Sequence, residues 1–333
     1  MLNLSHHTRV LVTGANGFIG SHLIESLLAR SCSVRCLVRE TSDLTWLADK
    51  NVAFVYGELN DPASLEKAVD GVDWMFHLAG KTKAFSRDEF FEANASGTEN
   101  LLEAAVKADP KLKRFVYVSS LAAAGPSPCD RALTEDDPPR PVTWYGESKL
   151  EGEHITRRFG ERLPVTIVRP PPVFGPRDED VLKFFRAVRR GVIPTIGNRG
   201  SRAAFLYVED LVMGMVLAAE REAAVGQTYF LANASCMGWV EFGKVAAEAL
   251  GAKAFVIPVP FRMLACAVYL HHAVSLFTRR PSILNPQKLP EYRERFWCCD
   301  GAKAERDLGF RPRYTIPEAV AKTVAWYRNR GWL

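Results

Sequence analysis

Tyr145 and Lys149 stand four residues apart in Tyr145-Gly146-Glu147-Ser148-Lys149, one helical turn on a single face. A phenol with a pKa near 10 is a poor base at neutral pH. An ammonium beside it, together with an oxidised nicotinamide ring, would favour the phenolate. Lowering that pKa by about 3 units takes roughly 4 kcal/mol of differential interaction, within reach of two close cations in a partly dry site. Such a tyrosine exchanges a proton with a hydroxyl or carbonyl while hydride moves. Ser119-Ser120 closes a run of strand-forming residues, where a hydroxyl can hold a substrate oxygen against developing charge.

A place for a nucleotide lies far upstream. Val10-Leu11-Val12-Thr13 runs into Gly14-Ala15-Asn16-Gly17-Phe18-Ile19-Gly20, followed by an apolar helical pattern. Glycines in this spacing let the chain turn tightly and bring backbone N–H groups to a pyrophosphate at a helix N-terminus. Sitting between a strand and a helix makes the glycine triplet specific. The next strand reads Val34-Arg35-Cys36-Leu37-Val38-Arg39 and ends on a cation rather than the acid that would accept bonds from a ribose 2′-OH. Arg39 can fork onto a 2′-phosphate, so NADP is the expected cofactor. NAD is the alternative, should Arg39 stack on adenine instead. Glu58 and Leu59, after the third strand, are candidates for the adenine side.

The elements that must hold these residues follow from periodicity. Strands are expected at Val10–Thr13, Val34–Arg39, Val52–Tyr56, Trp74–Leu78, Arg114–Ser119 and Val165–Arg169, each nearly continuous in apolar residues as parallel strands buried on both faces are. Helical spacing fills Phe18–Arg30, Ser64–Val69, Glu89–Ala108 and Tyr145–Phe159. The alternation predicts an α/β fold, a Rossmann-type doubly wound parallel sheet. Beyond Pro170-Pro171-Pro172 come a helix near Asp180–Arg190, a strand near Ala204–Val208, a helix to about Arg221 and a strand at Thr228–Leu231. The last three are expected to rejoin the sheet. A dinucleotide-binding domain is therefore expected over 1–173 plus about 204–231. A smaller, mainly helical substrate lobe is expected over about 174–203 plus 232–333.

Composition narrows the classes. At 333 residues with 47% hydrophobic and 24% charged residues, the chain is neither disordered nor fibrous. A net charge of +5, dispersed along the sequence, gives no reason to expect a nucleic-acid partner. Seven cysteines show no CxxC spacing and are expected as reduced thiols of a cytoplasmic protein. Met1 to Thr8 has no apolar signal core, so no cleaved targeting peptide is expected. His271 and His272 are adjacent and point apart on a helix, so no metal is expected.

Taken together, these motifs resemble the extended class of short-chain dehydrogenases/reductases over nearly the whole chain. The resemblance rests on Thr13-Gly14 through Gly20, His77-Leu78-Ala79-Gly80, Asn94-Ala95-Ser96-Gly97-Thr98, Tyr117-Val118-Ser119-Ser120, Tyr145 with Lys149, Arg169-Pro170 to Val173-Phe174-Gly175-Pro176, Tyr207-Val208-Glu209-Asp210 and Leu308-Gly309-Phe310-Arg311-Pro312. It implies that Tyr145 is the general acid/base, Lys149 the ribose anchor and Ser120 the catalytic hydroxyl, with Ser119 beside the nicotinamide. It further implies that Leu78, Ala79 and Gly80 line the cofactor and that backbone around Pro170 to Val173 meets the carboxamide. A homodimer built on helices 89–108 and 145–159 is implied as well.

Departures within that class point to a branch. Dehydratases place an Asp-Glu pair after the catalytic hydroxyl, whereas Leu121-Ala122 follows Ser120 here. Sugar-nucleotide enzymes carry an arginine at the place of Ala203, although Arg202 is adjacent. Val38-Arg39 and the tail from Cys298-Cys299-Asp300 to Gly309-Phe310 look most like the 3β-hydroxysteroid dehydrogenase and dihydroflavonol reductase branch. An oxidoreductase of a secondary alcohol or ketone on a sizeable apolar molecule, steroid- or sterol-like, is the expectation. The alternatives are a sugar-nucleotide epimerase with tightly bound NAD and a non-catalytic NADP(H)-sensing protein. Phe261 to Phe277 reads as a helix apolar nearly all round, which is expected to be buried in the lobe. Its sharper reading is an interfacial helix over 261–280 at the substrate mouth, with Arg279-Arg280 at lipid head groups.

Overall fold

The computed structural model describes residues 4, 8–108, 112–129, 131–196, 200–233, 235–278 and 285–333. The first half alternates strand and helix: β1 (Arg9–Thr13), α1 (Phe18–Ala29), β2 (Ser33–Val38), β3 (Ala53–Tyr56), α2 (Pro62–Val69), β4 (Trp74–His77), α3 (Arg87–Phe91), α4 (Gly97–Ala108), β5 (Arg114–Val118), α5 (Leu121–Ala124), α6 (Trp144–Arg158) and β6 (Val165–Arg169). Then come β7 (Val173–Phe174), α7 (Glu179–Arg189), β8 (Val192–Ile196), β9 (Arg202–Ala203), β10 (Leu206–Tyr207), α8 (Val208–Glu220) and β11 (Thr228–Phe230). The remainder holds β12 (Met237–Gly238), α9 (Trp239–Leu250), β13 (Phe255–Val259), α10 (Phe261–Thr278), α11 (Leu289–Arg293), β14 (Phe296–Trp297), α12 (Ala302–Leu308) and α13 (Ile316–Asn329).

Seven strands form one sheet in the order β11-β6-β5-β4-β1-β2-β3, every pairing parallel. The order reverses between β1 and β4, the crevice where ligands bind in a doubly wound sheet. Such a sheet is buried on both faces because its crossover helices lie on both. Val10, Val12, Trp74, Phe76 and Val116 face α1 and α8, whereas Leu11, Met75, Phe115 and Ile167 face α2, α4 and α6. A separate aromatic core, with Phe174, Phe185, Phe205, Phe242 and Tyr327, holds the C-terminal lobe together.

Four expectations need correction. The strand near Ala204–Val208 does not rejoin the main sheet: β10 pairs with the two-residue β7, since both sides of β6 are already taken by β5 and β11. The helix over Glu89–Ala108 is interrupted by a π-helical turn at Glu92–Ser96. Not all thiols are free: β12 and β14 flank β9, bringing Cys236 and Cys298 together as a disulfide with Cα atoms 5.8 Å apart. Finally, α10 is not buried in the lobe. Of its residues only Val268 and Ser275 are buried, because it packs along one narrow line two turns long. Arg279 and Arg280 lie outside the described residues.

Candidate active site

A cavity of about 920 Å³ opens at the carboxyl edge of the sheet and runs from the glycine turn to the C-terminal lobe. Its inner wall carries Gly14, Asn16, Gly17, Phe18, Ile19, Gly20, Leu78, Gly80, Ser119, Ser120, Tyr145, Lys149, Pro170 and Val173. Arg39, Glu58, Leu59 and Ala79 do not line it. Arg39 and Glu58 are exposed beyond the ends of β2 and β3. Leu59 offers its carbonyl to Asn100 Nδ2 at 2.9 Å, and Ala79 lies behind Gly14, its N–H held by Thr13 Oγ1 at 3.2 Å.

The glycine turn is shaped for an anion. Gly14 takes φ +71°, and a Cβ there would press on the Ala79 backbone at 2.8 Å. Gly20 faces the Gly14 carbonyl so closely that an added Cβ would overlap its oxygen, which sets how near α1 approaches β1. At the N-terminus of α1 the cap is Gly17, no side chain caps the helix and the first turn carries no acid. Its amide groups are thus left to a ligand in the cavity, as a diphosphate requires.

Tyr145 projects from the start of α6, which Thr143 caps by accepting from the Gly146 amide at 3.1 Å. Ser120 caps the short α5 in the same way, accepting from the Ala122 amide at 3.1 Å, and its hydroxyl lies close enough to the Tyr145 phenol to lower its pKa. Lys149 is buried one turn below, its Nζ 4.3 Å from the centre of the Tyr117 ring. Burial pushes the Tyr145 phenol up to about 12, with the neighbouring Ser120 hydroxyl opposing and the Glu291 carboxylate adding to the rise. Burial also brings Lys149 down to about 7, with Glu153 opposing. In the polypeptide alone desolvation thus keeps the phenol protonated at pH 7, and the expected depression of its pKa calls for the charge of the oxidised nicotinamide ring as well as Lys149.

Sequence reasoning assigned no role to several residues that hold this arrangement. Glu153, one turn beyond Lys149 and without solvent contact, accepts from Arg169 at 2.8 and 2.7 Å, from Arg157 at 2.8 Å and from Ser119 Oγ at 2.6 Å. Ser119 is thereby turned inward and buried, leaving Ser120 partly open to the cavity. Burial opposes ionisation of Glu153, yet Arg169, Ser119 and Arg157 hold its carboxyl below the usual range. Asn94, inside the π-helical turn, clamps Lys81 through both amide atoms, at 2.8 and 3.0 Å, and donates to Ser148 Oγ at 2.9 Å. Such turns are frequent at functional sites, and this one aims Asn94 at the cavity wall. His77 bridges Thr13 (2.6 Å) and Thr98 (3.0 Å), tying β1 and β4 to α4 behind the glycine turn. A 3.6-residue period carries no sign of a π-turn, and a lone Glu on a helix reads as surface, so neither was legible.

The far end of the cavity belongs to the C-terminal lobe, with Phe184, Trp239, Tyr292 and Trp297 among its walls. Lys288 is buried there, its Nζ 5.6 Å from the Tyr145 ring and 2.7 Å from Glu291 Oε2. Ala203 lines the cavity, whereas exposed Arg202 hydrogen-bonds the Cys236 carbonyl.

Known proteins share this framework. The chain is 31% identical over 326 residues to a ceramide reductase of Caulobacter vibrioides, covering 97% of this chain and 96% of that one. It is 30% identical to a 3-beta-hydroxysteroid dehydrogenase of Mycolicibacterium neoaurum, covering 96% and 92%. Among solved structures, a dTDP-glucose 4,6-dehydratase of Streptomyces venezuelae with NAD bound superposes with a TM-score of 0.78 at 26% identity, covering 98% of each chain. The profile of the NAD dependent epimerase/dehydratase family matches residues 10–232. With a seven-stranded Rossmann-type sheet, a glycine turn open to a diphosphate and relatives named as reductases and dehydrogenases, the chain is an NAD(P)-dependent enzyme of the extended short-chain type and belongs to the NAD dependent epimerase/dehydratase family.

Proposed function

We propose that this enzyme interconverts a secondary alcohol and a ketone on a sizeable apolar molecule, such as a steroid or a long-chain lipid, with Tyr145 as the proton-transfer group. One observation carries the reading: a single cavity joins the Ser120–Tyr145–Lys149 cluster to an aromatic wall supplied by the C-terminal lobe. A ketone carried against Phe184, Trp239 and Trp297 would present its oxygen to the two hydroxyls. The relatives named for ceramide and 3-beta-hydroxysteroid chemistry act on molecules of that kind.

The dinucleotide fits the open amides of α1 and would supply the hydride. The protein's own work is positioning and proton movement. Ser120 and Tyr145 donate to the substrate oxygen and stabilise the charge that grows on it. Tyr145, neutral at pH 7, then delivers its proton. Lys149, close to half-protonated near neutrality, lies on the same helix face to restore it through the ribose side. In the oxidative direction the same phenol must first lose its proton, so alcohol oxidation should rise with pH, while ketone reduction should fall as Lys149 loses its proton above about pH 7. Arg39, exposed at the end of β2, supports a preference for NADP over NAD.

A sugar-nucleotide substrate is disfavoured by Ala203 at the cavity wall and by Arg202 turned onto Cys236. Leu121-Ala122 after Ser120 leaves no acid–base pair for dehydration. The test is a panel of hydroxysteroids, long-chain keto lipids, flavonols, aldehydes and sugar nucleotides, each with NAD(H) and NADP(H), followed by absorbance of the reduced nicotinamide. Turnover confined to the apolar ketones and alcohols supports the reading. Turnover of sugar nucleotides without net change in the cofactor overturns it in favour of an epimerase.

A further inference from the structure

We infer that α10, with the adjoining strand β13, docks on the surface of an anionic lipid bilayer. A helix that is apolar nearly all round is normally buried, yet α10 stands mostly exposed. Among the described residues there are eleven exposed large hydrophobic side chains, and eight of them fall between Phe255 and Phe277. Phe277 is 92% exposed, Phe255 75%, Leu270 71% and Met263 65%. Scattered single apolar side chains are normal on a protein surface, but a concentration of this kind marks a contact surface.

Charge identifies the partner. Between Glu248 and Glu291 the sequence contains no Asp or Glu, while Lys253, Arg262, Arg279 and Arg280 supply four cations; a fifth, Lys288, is buried in the cavity wall and paired with Glu291. Lys253 and Arg262 are exposed, and Arg293 stacks on Phe261 at the base of the helix, 4.7 Å from the ring centre. An apolar surface with exposed cations, on a stretch free of acids between Glu248 and Glu291, suits lipid tails beneath anionic head groups. A second copy of the chain would bring the same positive charge to the contact and repel it.

The helix lies on the membrane rather than crossing it. Its 18 residues span about 27 Å, and no described helix is long and apolar enough to cross a membrane. Position adds weight: the elements on either side of α10 reach the cavity. β13 runs parallel to β8, whose Pro194 and Thr195 line the cavity, and the segment after α10 supplies Lys288, Glu291 and Tyr292. A bilayer contact here would set the cavity beside the phase in which a lipid substrate dissolves.

Co-sedimentation of the full chain with phosphatidylcholine vesicles, with and without phosphatidylglycerol, tests the inference. The chain should pellet with the anionic vesicles and less with phosphatidylcholine alone. The double variant Leu270→Ser/Phe277→Ser should lose at least about tenfold in partitioning, from the apolar area removed. Arg262→Gln should lose about fivefold on anionic vesicles only. Unchanged melting temperatures would show that both variants fold, since these side chains are exposed. Absence of pelleting with either vesicle, or equal partitioning of the double variant, overturns the inference. So does a concentration-dependent dimer that the double variant abolishes while vesicles are ignored, which would assign the surface to a second copy. Vesicle binding is read without turnover, so its failure leaves the proposed chemistry standing.

Discussion

Glu153 and Arg169 form a doubly hydrogen-bonded ion pair without solvent contact, Nε to Oε1 at 2.8 Å and Nη2 to Oε2 at 2.7 Å, directly beneath the active-site cavity. Removing one member of a buried pair strands the other charge, which costs about 3–5 kcal/mol. Glu153→Ala should therefore lower unfolding free energy in urea by that amount at pH 7. Glu153→Gln, which keeps the shape and some hydrogen bonds, should lose less. A loss below about 1 kcal/mol for Glu153→Ala would show that the pair is hydrated and does not anchor Ser119.

The cofactor turn depends on the contact between Gly20 and Gly14. Gly20→Ala places a methyl on the Gly14 carbonyl oxygen and within 2.9 Å of Ala15 Cα, both backbone. The turn must open, and opening it moves the amide groups of α1 away from a diphosphate. Titration with reduced cofactor should show at least about a tenfold weaker Kd, alongside about 1–3 kcal/mol of lost stability. An unchanged Kd would place the diphosphate elsewhere.

His77 predicts a pH dependence of stability. Burial, with Lys149 adding to it, holds the imidazole down to about 3, far below its ordinary 6.5. Above pH 6.5 the ring is neutral in both the folded and unfolded chain, and its contribution is fully present. As pH falls from 6.5 towards 3 only the unfolded chain takes up the proton, so stability is lost over that window. The loss is on the order of several kcal/mol for a shift of this size. His77→Gln should remove this component, so its stability should fall less steeply than that of the unaltered chain. Parallel curves would contradict it.

The proposed preference for NADP rests on Arg39, exposed at the end of β2. A charge-assisted fork onto a 2′-phosphate is worth about 1.5–3 kcal/mol. Arg39→Ser should therefore raise the KM for NADP(H) about tenfold to a hundredfold and leave that for NAD(H) nearly unchanged. Equal effects on both would reduce Arg39 to an adenine contact.

Much of the frame was legible in the sequence because parallel strands buried on both faces leave unbroken apolar runs, and β1 to β6 are found within about a residue of where those runs fall. The glycine turn and the Tyr145–Lys149 spacing were legible because their chemistry demands particular residue types at particular intervals. Long-range relationships were not. Nothing local in Leu206-Tyr207 reveals that it pairs with Val173-Phe174, since both are short and apolar. Lys288 and Trp297 reach the cavity from more than 130 residues beyond Tyr145, a juxtaposition made by the C-terminal lobe alone. The direction of the Tyr145 shift was likewise hidden, because it depends on how dry the folded site is rather than on which cation stands four residues away.

The most direct test follows hydrogen isotopes through the reaction. Reduction of a long-chain or steroid ketone with NADPH carrying deuterium at both C4 positions should place one deuterium on the new carbinol carbon. Tyr145→Phe should slow that transfer by about a hundredfold to ten-thousandfold while binding the cofactor within about twofold of the unaltered enzyme. Label absent from the alcohol, or transferred at the same rate without the Tyr145 hydroxyl, would contradict the assignment.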